Sequence, residues 1–141
     1  MKLILATHNK DKVKELTSKL DGLGIIPISL SDFPQIGDIP ETGKTLEENA
    51  LIKAREVNRL TGIISLADDT GLEVEALDGE PGVYSARWAG EGCSYSDNVN
   101  KMVLEIESVP EKNRNAKFRT VMALVDNDRE LLAEGIIEGN I

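Results

Sequence analysis

The feature that most constrains the fold is the alternation of short apolar runs with helical patterns in the first half of the chain. Residues 2–6 read KLILA, which has the length and apolarity of a buried strand, and residues 25–30 and 63–67 are similar runs. Apolar residues recur at helical spacing from Lys10 onward, and again after Thr45, where the T-x-x-E sequence predicts a capping box. This order predicts βαβ and αβ units.

The second half of the chain predicts one more helix and a ribbon of strands. A third strand at 63–67 is predicted to run into the loop Asp68-Asp69-Thr70-Gly71, followed by a half-exposed strand over 72–76. A helix is predicted over about 96–107, with Ser96 as its cap. Its apolar face is predicted to comprise Val99, Met102, Val103 and Ile106. Residues 116–125 and 130–137 flank a hairpin turn, so the whole reads as an α/β fold with a mixed sheet.

Composition limits the classes of function. The 141 residues carry a formal net charge of −9, which argues against a partner that is a nucleic acid. No apolar span is long enough for a membrane helix, and the lone Cys93 fits a reducing compartment, so we expect a cytoplasmic protein with no membrane partner. The length predicts a single domain over residues 1–141.

The stretch Thr7-His8-Asn9-Lys10-Asp11-Lys12 lies where the first strand meets the first helix. Backbone N–H groups at a helix start attract phosphate, and Thr7, Asn9 and Lys12 carry side-chain donors. From the residues alone, a solvated helix face is the commoner explanation of the lysines, and Asn9 equally serves as a helix cap.

Carboxylates and a lysine further along the chain suggest a second half of the same site. Asp68 and Asp69 follow a buried strand, where α/β sheets place ligands, although an ordinary acidic turn explains them as well. Asn49 and Lys53 are spaced i, i+4 and so share one face of the second helix. Glu41 lies in the loop before that helix. The residues therefore predict an α/β domain with a cleft for Mg²⁺ and phosphate, without identifying a reaction.

Four stretches together resemble the inosine triphosphate pyrophosphatase family, also called XTP/dITP diphosphatases. They are LATHNKDKVKEL (5–16), ETGKTLEENALIKA (41–54), ADDTGLEVEAL (67–77) and PGVYSARWAG (81–90). The resemblance implies an elongated mixed sheet flanked by helices, and a homodimer. It also implies Mg²⁺-dependent hydrolysis of deaminated purine nucleoside triphosphates, such as ITP, dITP and XTP, to the monophosphate and pyrophosphate.

The resemblance also implies roles for individual residues. Asp69 would be the catalytic base and a Mg²⁺ ligand, and Glu41 a second metal-side carboxylate. The implied substrate contacts are Thr7, His8, Asn9, Lys10, Asp11, Lys12, Asn49, Lys53 and Thr70. From the residues themselves, Asp68 and Arg87 are expected to support the site: Asp68 would brace the loop, and Arg87 would bind phosphate or bridge to a carboxylate.

The family pattern continues beyond the last residues of this chain. Family members carry an F-G-Y-D-P stretch and an S-H-R stretch that shape the purine pocket, so we expect the chain to be C-terminally incomplete relative to the family. An alternative function is therefore a catalytically inactive nucleotide-binding or dimerising fragment. A dimer contact is expected through residues 79–92, which hold Tyr84 and Trp88.

Overall fold

The computed structural model describes every residue from Met1 to Ile141. Its helices are α1 (Lys10–Leu20), α2 (Leu46–Thr61) and α3 (Tyr95–Ile106). Its strands are β1 (Lys2–Leu5), β2 (Ile26–Ser29), β3 (Ser65–Val74), β4 (Pro81–Gly82), β5 (Asn115–Asp126) and β6 (Arg129–Asn140). None of the helices has both the length and the apolarity that a membrane crossing requires.

The strands form one mixed sheet in the order β2-β1-β3-β5-β6, with β4 paired to β3. β1 is parallel to both of its neighbours, so that Ile4 lies opposite Ile28 of β2 and Ser65 of β3. β4 is antiparallel to β3. Pro27 lies in the edge strand β2, where its missing N–H breaks no internal ladder. The predicted α/β class with a mixed sheet is confirmed.

α2 is held by its predicted cap and its predicted apolar face. Thr45 Oγ1 accepts a hydrogen bond from the Glu48 N–H, and Gly62 ends the helix in the left-handed conformation. The capping box is only half formed, because the Glu48 carboxylate accepts from the Lys44 N–H and not from Thr45. The predicted inward face is fully buried and consists of Leu46, Ala50, Ala54 and Val57.

Three predictions about the middle of the chain are wrong. The predicted loop at 68–71 is part of the continuous strand β3, because the buried surroundings of its acidic residues favour extended backbone over their turn propensity. The cap of α3 is Ser94, which forms a full capping box with Asp97, so Ser96 lies inside the helix. On α3, Met102 and Ile106 are buried as predicted, whereas Val99 and Val103 are exposed.

The chain divides into two compact units, each with its own buried side chains. The first comprises Met1–Asp69 and Val121–Ala133, and its core includes residues of β1, α2 and β5. The second comprises Thr70–Thr120 and Glu134–Ile141, and its core is built on Val74, Met102 and Ile106. The dimer contact expected through residues 79–92 assumed that Tyr84 and Trp88 are both exposed. Tyr84 is exposed, whereas Trp88 packs against this second core. The single-domain organisation stays a prediction.

Candidate functional site

The junction between β1 and α1 is shaped by its own side chains. Thr7 Oγ1 accepts from the Asn9 N–H at 3.1 Å, and Asn9 Oδ1 accepts from the N–H groups of Asp11 and Lys12 at 2.9 and 3.2 Å. Asn9 is therefore the helix cap, which was the alternative explanation for this residue. Its oxygen satisfies two of the N–H groups that open α1, so the turn is fixed before any ligand binds.

The charged residues of this junction differ in their surroundings. Lys12 Nζ lies 2.6 Å from Asp68 Oδ2, and the Asp68 side chain is buried. His8 Nε2 lies 3.1 Å from the Gly37 carbonyl oxygen, which ties the junction to the loop before α2. Lys10 and Asp11 are exposed on the first turn of α1. Lys12 is thus the lysine of this stretch that the structure brings to the acidic residues of β3.

The predicted face of α2 lies at the same place. Lys53 Nζ is 2.8 Å from Glu41 Oε1 and also donates to the main-chain carbonyl of Asp68. The Lys53 side chain is only 13% exposed, so its ammonium is held by these partners and not by bulk water. Asn49, one turn earlier, is completely buried. The structure therefore brings Glu41, Asn49 and Lys53 together around β3.

Asp69 is the carboxylate that these groups surround. Burial raises its pKa above the ordinary aspartate value, and the nearby Glu41 carboxylate raises it further. Lys53, the Asn49 amide and Lys12 act in the opposite direction without cancelling the increase in pKa. The two lysines form ion pairs with Glu41 and Asp68, so three carboxylates face two ammonium groups and the local charge is −1 when all are ionised. A cation is the ligand that this imbalance favours.

All the buried side-chain polar atoms that lack a hydrogen-bond partner are at this site. They are Asn49 Nδ2, Asp68 Oδ1 and Asp69 Oδ2. Such atoms cost stability in a folded protein and are otherwise rare, so their concentration at one place indicates groups that a ligand satisfies.

The donor set fits a magnesium ion that is completed by a substrate. No group of three or more His, Cys, Asp or Glu side chains is arranged to hold a metal alone. Mg²⁺ is usually held by one or two carboxylates together with substrate phosphates and water. Glu41 and Asp69 supply two carboxylates in the same neighbourhood, and Asp69 Oδ2 is buried without a hydrogen-bond partner.

Two predicted residues belong to the second compact unit. Thr70 Oγ1 lies 2.7 Å from Thr120 Oγ1, and the two hydroxyls share a hydrogen bond. The Arg87 guanidinium lies 5.5 Å from the centroid of the Tyr84 ring, a cation–π contact. Their predicted roles toward substrate stay predictions.

Gly43 is a residue of the site that the sequence reasoning did not single out. Its N–H donates to Asn49 Oδ1 at 2.7 Å, and a Cβ atom there would lie 2.6 Å from that same oxygen and from Glu48 Cβ. The available signal was a glycine two residues before the helix cap, on the loop that carries Glu41.

Comparisons with known proteins match the whole chain to one family. A family model described as the Ham1 family matches residues 3–141. The chain is similar to the dITP/XTP pyrophosphatase of Thermoanaerobacter pseudethanolicus, at 49% identity over 100% of this chain and 71% of that protein. Among solved structures, a HAM1 protein from Coxiella burnetii superposes with a TM-score of 0.91 at 38% identity, over 100% of this chain and 73% of the other. A nucleoside-triphosphatase / dITP/XTP pyrophosphatase from Mycobacterium abscessus superposes with a TM-score of 0.85 at 40% identity, over 100% of this chain and 74% of the other.

Proposed function

This chain belongs to the Ham1 family, and from that premise we propose that it hydrolyses dITP, XTP and ITP to the monophosphate and pyrophosphate. The observation that carries the proposal is Asp69, a buried carboxylate of raised pKa with a partnerless oxygen, set between two lysine–carboxylate pairs. The names of the relatives supply the substrate class.

The proposed reaction assigns Asp69 the role of general base. Asp69 would accept a proton from a water molecule as that water attacks the α-phosphorus. The bond from the α-phosphorus to the bridging oxygen breaks, and pyrophosphate leaves. A carboxylate with a raised pKa is a stronger base than an ordinary aspartate, which suits this step.

The remaining residues would bind and orient the triphosphate. We propose that Thr7, Asn9 and Lys12 form the phosphate-binding end, with His8, Lys10 and Asp11 on the same turn. The N–H groups of Asp11 and Lys12 already donate to Asn9 Oδ1, so the proposed contacts to phosphate come from the side chains. Asp68 would hold Lys12 in place through the 2.6 Å ion pair. Thr70 and Arg87 remain proposed contacts of the substrate.

We propose Mg²⁺ as the cofactor, with Glu41 and Asp69 as its protein ligands. A Mg²⁺ ion held by these carboxylates would supply positive charge that stabilises the pyrophosphate leaving group. Lys53 now pairs with Glu41 and would share that carboxylate with the ion.

The test is a measurement of products from ITP, XTP and dITP, with ATP as the matched control. We expect pyrophosphate and the monophosphate in the presence of Mg²⁺, a loss of turnover with EDTA, and at least tenfold slower turnover of ATP. In ¹⁸O-labelled water, the label should enter the monophosphate, because attack at the α-phosphorus puts the water oxygen there. Release of orthophosphate would contradict the proposal. Calorimetric binding of ITP without turnover would support the alternative of an inactive nucleotide-binding module.

We further propose a homodimer, as the family resemblance implies, and a location in the cytoplasm, which the lone Cys93 suggests. Light scattering coupled to size-exclusion chromatography measures the mass in solution. A mass of about twice the 15.4 kDa of the chain is expected, and a monomer at all concentrations would contradict the dimer.

A further inference from the structure

Asn49 has two polar atoms in contrasting states, although it is completely buried. Its Oδ1 accepts the Gly43 N–H at 2.7 Å, which joins α2 to the loop that carries Glu41. Its Nδ2 has no hydrogen-bond partner. A buried asparagine with one satisfied and one partnerless group is unusual, because each partnerless buried donor destabilises the fold.

The contact with Gly43 is as close as a backbone permits. A Cβ atom at Gly43 would lie 2.6 Å from Asn49 Oδ1 and 3.1 Å from the Asn49 main-chain nitrogen. A contact of 2.6 Å does not occur in proteins, so a side chain at Gly43 would require the loop or the Asn49 side chain to shift. Glu41 is two residues before Gly43, and its carboxylate lies 2.8 Å from Lys53, one turn along α2 from Asn49. The position of Glu41 is therefore set from both sides by α2.

The partnerless Nδ2 donor has a matching acceptor. Asp69 Oδ2 is also buried without a partner. Lys53, one turn along α2 from Asn49, donates to the main-chain carbonyl of Asp68, so this face of α2 lies against β3 beside Asp69. Hydrogen bonds of a reactive site are often long without substrate and tighten when the complex forms.

We infer that Asn49 is a positioning residue and not a direct substrate contact: its Oδ1 fixes the Glu41 loop through Gly43, and its Nδ2 orients the Asp69 carboxylate. The catalytic part of this inference rests on the proposed function. The loop contact does not, because it is a property of the ligand-free protein.

The first test measures hydrogen exchange of the Gly43 amide by NMR in the ligand-free protein. Asn49→Ala removes the acceptor, and we expect the Gly43 amide to exchange about tenfold faster than in the wild type. Asn49→Asp keeps an acceptor oxygen, and protection should remain. Asn58→Ala is the matched control, because Asn58 is a second buried asparagine of α2 whose partners are Ile63 and Asn127. Unchanged Gly43 exchange in Asn49→Ala would overturn the inference.

The second test separates kcat from KM for ITP in the same variants. Loss of positioning lowers kcat, and we expect a decrease of about 10-fold to 100-fold in both Asn49→Ala and Asn49→Asp, with KM within about threefold. Asn58→Ala should keep both constants within about twofold once unfolded protein is corrected for. A raised KM at unchanged kcat would overturn the positioning role in favour of substrate contact, and near-normal kcat in both variants would also overturn it. If the wild type itself fails to hydrolyse ITP, the proposed function fails, and Gly43 exchange still decides the loop contact.

Discussion

Each end of α2 carries a buried asparagine, but the fold provides hydrogen-bond partners for all the side-chain polar groups of only one of them. Near the carboxyl end, Asn58 donates to the Ile63 carbonyl at 2.8 Å and accepts from the Asn127 N–H at 3.1 Å. Near the amino end, Asn49 leaves its donor without a partner. The two residues are about 14 Å apart along the helix axis. One end is therefore fully satisfied by the fold, whereas the other retains groups that only a ligand or a conformational change can satisfy.

This difference indicates where the molecule accepts a loss of stability. Partnerless buried polar atoms each cost about 1–3 kcal/mol, and all of those on side chains are at the amino end of α2 and the adjoining part of β3. A fold under selection for stability alone would fill such positions with apolar side chains. Their presence beside a carboxylate of raised pKa is the physical argument that this end of α2 is the functional one.

The largest expected effect comes from removing the charge at the functional end. In Asp69→Asn, we expect release of pyrophosphate from ITP to fall by about 10²-fold to 10⁴-fold, because the proposed general base is lost while the shape of the side chain is kept. The measurement is steady-state turnover with Mg²⁺, with circular dichroism to establish that the fold is intact. Glu56→Gln on α2 makes the same charge change at an exposed pair with Arg59 and should leave turnover unchanged. Turnover of Asp69→Asn within tenfold of the wild type would place the base elsewhere.

The next largest effect is expected at the other end of the helix. Asn58→Ala should lower the free energy of unfolding by about 2 kcal/mol, because the Ile63 carbonyl and the Asn127 N–H lose their buried partner. Urea denaturation measures this change. The comparison of the two ends fails if Asn58→Ala is as stable as the wild type, or if folded Asn58→Ala loses turnover.

The elements were predictable where local chemistry and tertiary packing agree. The buried face of α2 follows directly from its spacing of apolar residues, and Thr45 and Gly62 are a cap and an end signal that act locally. The prediction of a loop at 68–71 was wrong because it was based on the local turn preference of acidic residues, without their tertiary contacts. Here Lys12 and Lys53, from distant parts of the chain, contact Asp68 and allow the strand to continue.

The candidate site was predictable as a set of residue types, but not as a set of contacts. The resemblance to a known family identified the charged residues of the site. The structure brings four of them together: Lys12, Glu41, Lys53 and Asp69. Which lysine pairs with which carboxylate depends on long side chains directed by tertiary packing, and no spacing rule contains that information. The contact between Gly43 and Asn49 was missed for the same reason.

A smaller effect is expected on the stability of the Asp69→Asn variant. The pKa of Asp69 is raised in the folded protein, so the native state holds its proton to higher pH than the unfolded chain. Stability therefore decreases as pH rises from the ordinary aspartate pKa through the raised pKa, and the full penalty is present above that window.

Asp69→Asn removes the penalty, and should be more stable at pH 7 by about 1 kcal/mol. Urea denaturation at a series of pH values measures this gain, which should vanish in acid. A variant that is less stable at pH 7 would contradict the view that this end trades stability for function.

The smallest expected effect is that of replacing Gly62, which ends α2 next to Asn58. Gly62 has φ 70° and donates its N–H to the Asn58 carbonyl at 2.7 Å, and no atom lies within 4 Å of the position of an added Cβ. Gly62→Ala therefore clashes with nothing, and its cost is the left-handed backbone, about 1–2 kcal/mol. The reduced freedom of the unfolded alanine chain offsets about 0.4–1 kcal/mol of that cost. The net loss in the free energy of unfolding should be about 0.8 kcal/mol by urea denaturation, the difference of the two midpoints, with turnover unchanged. Gly62→Asn is the matched control, because asparagine tolerates this conformation better and should cost less than alanine. The reverse order would mean that backbone conformation does not determine the stability of this helix end.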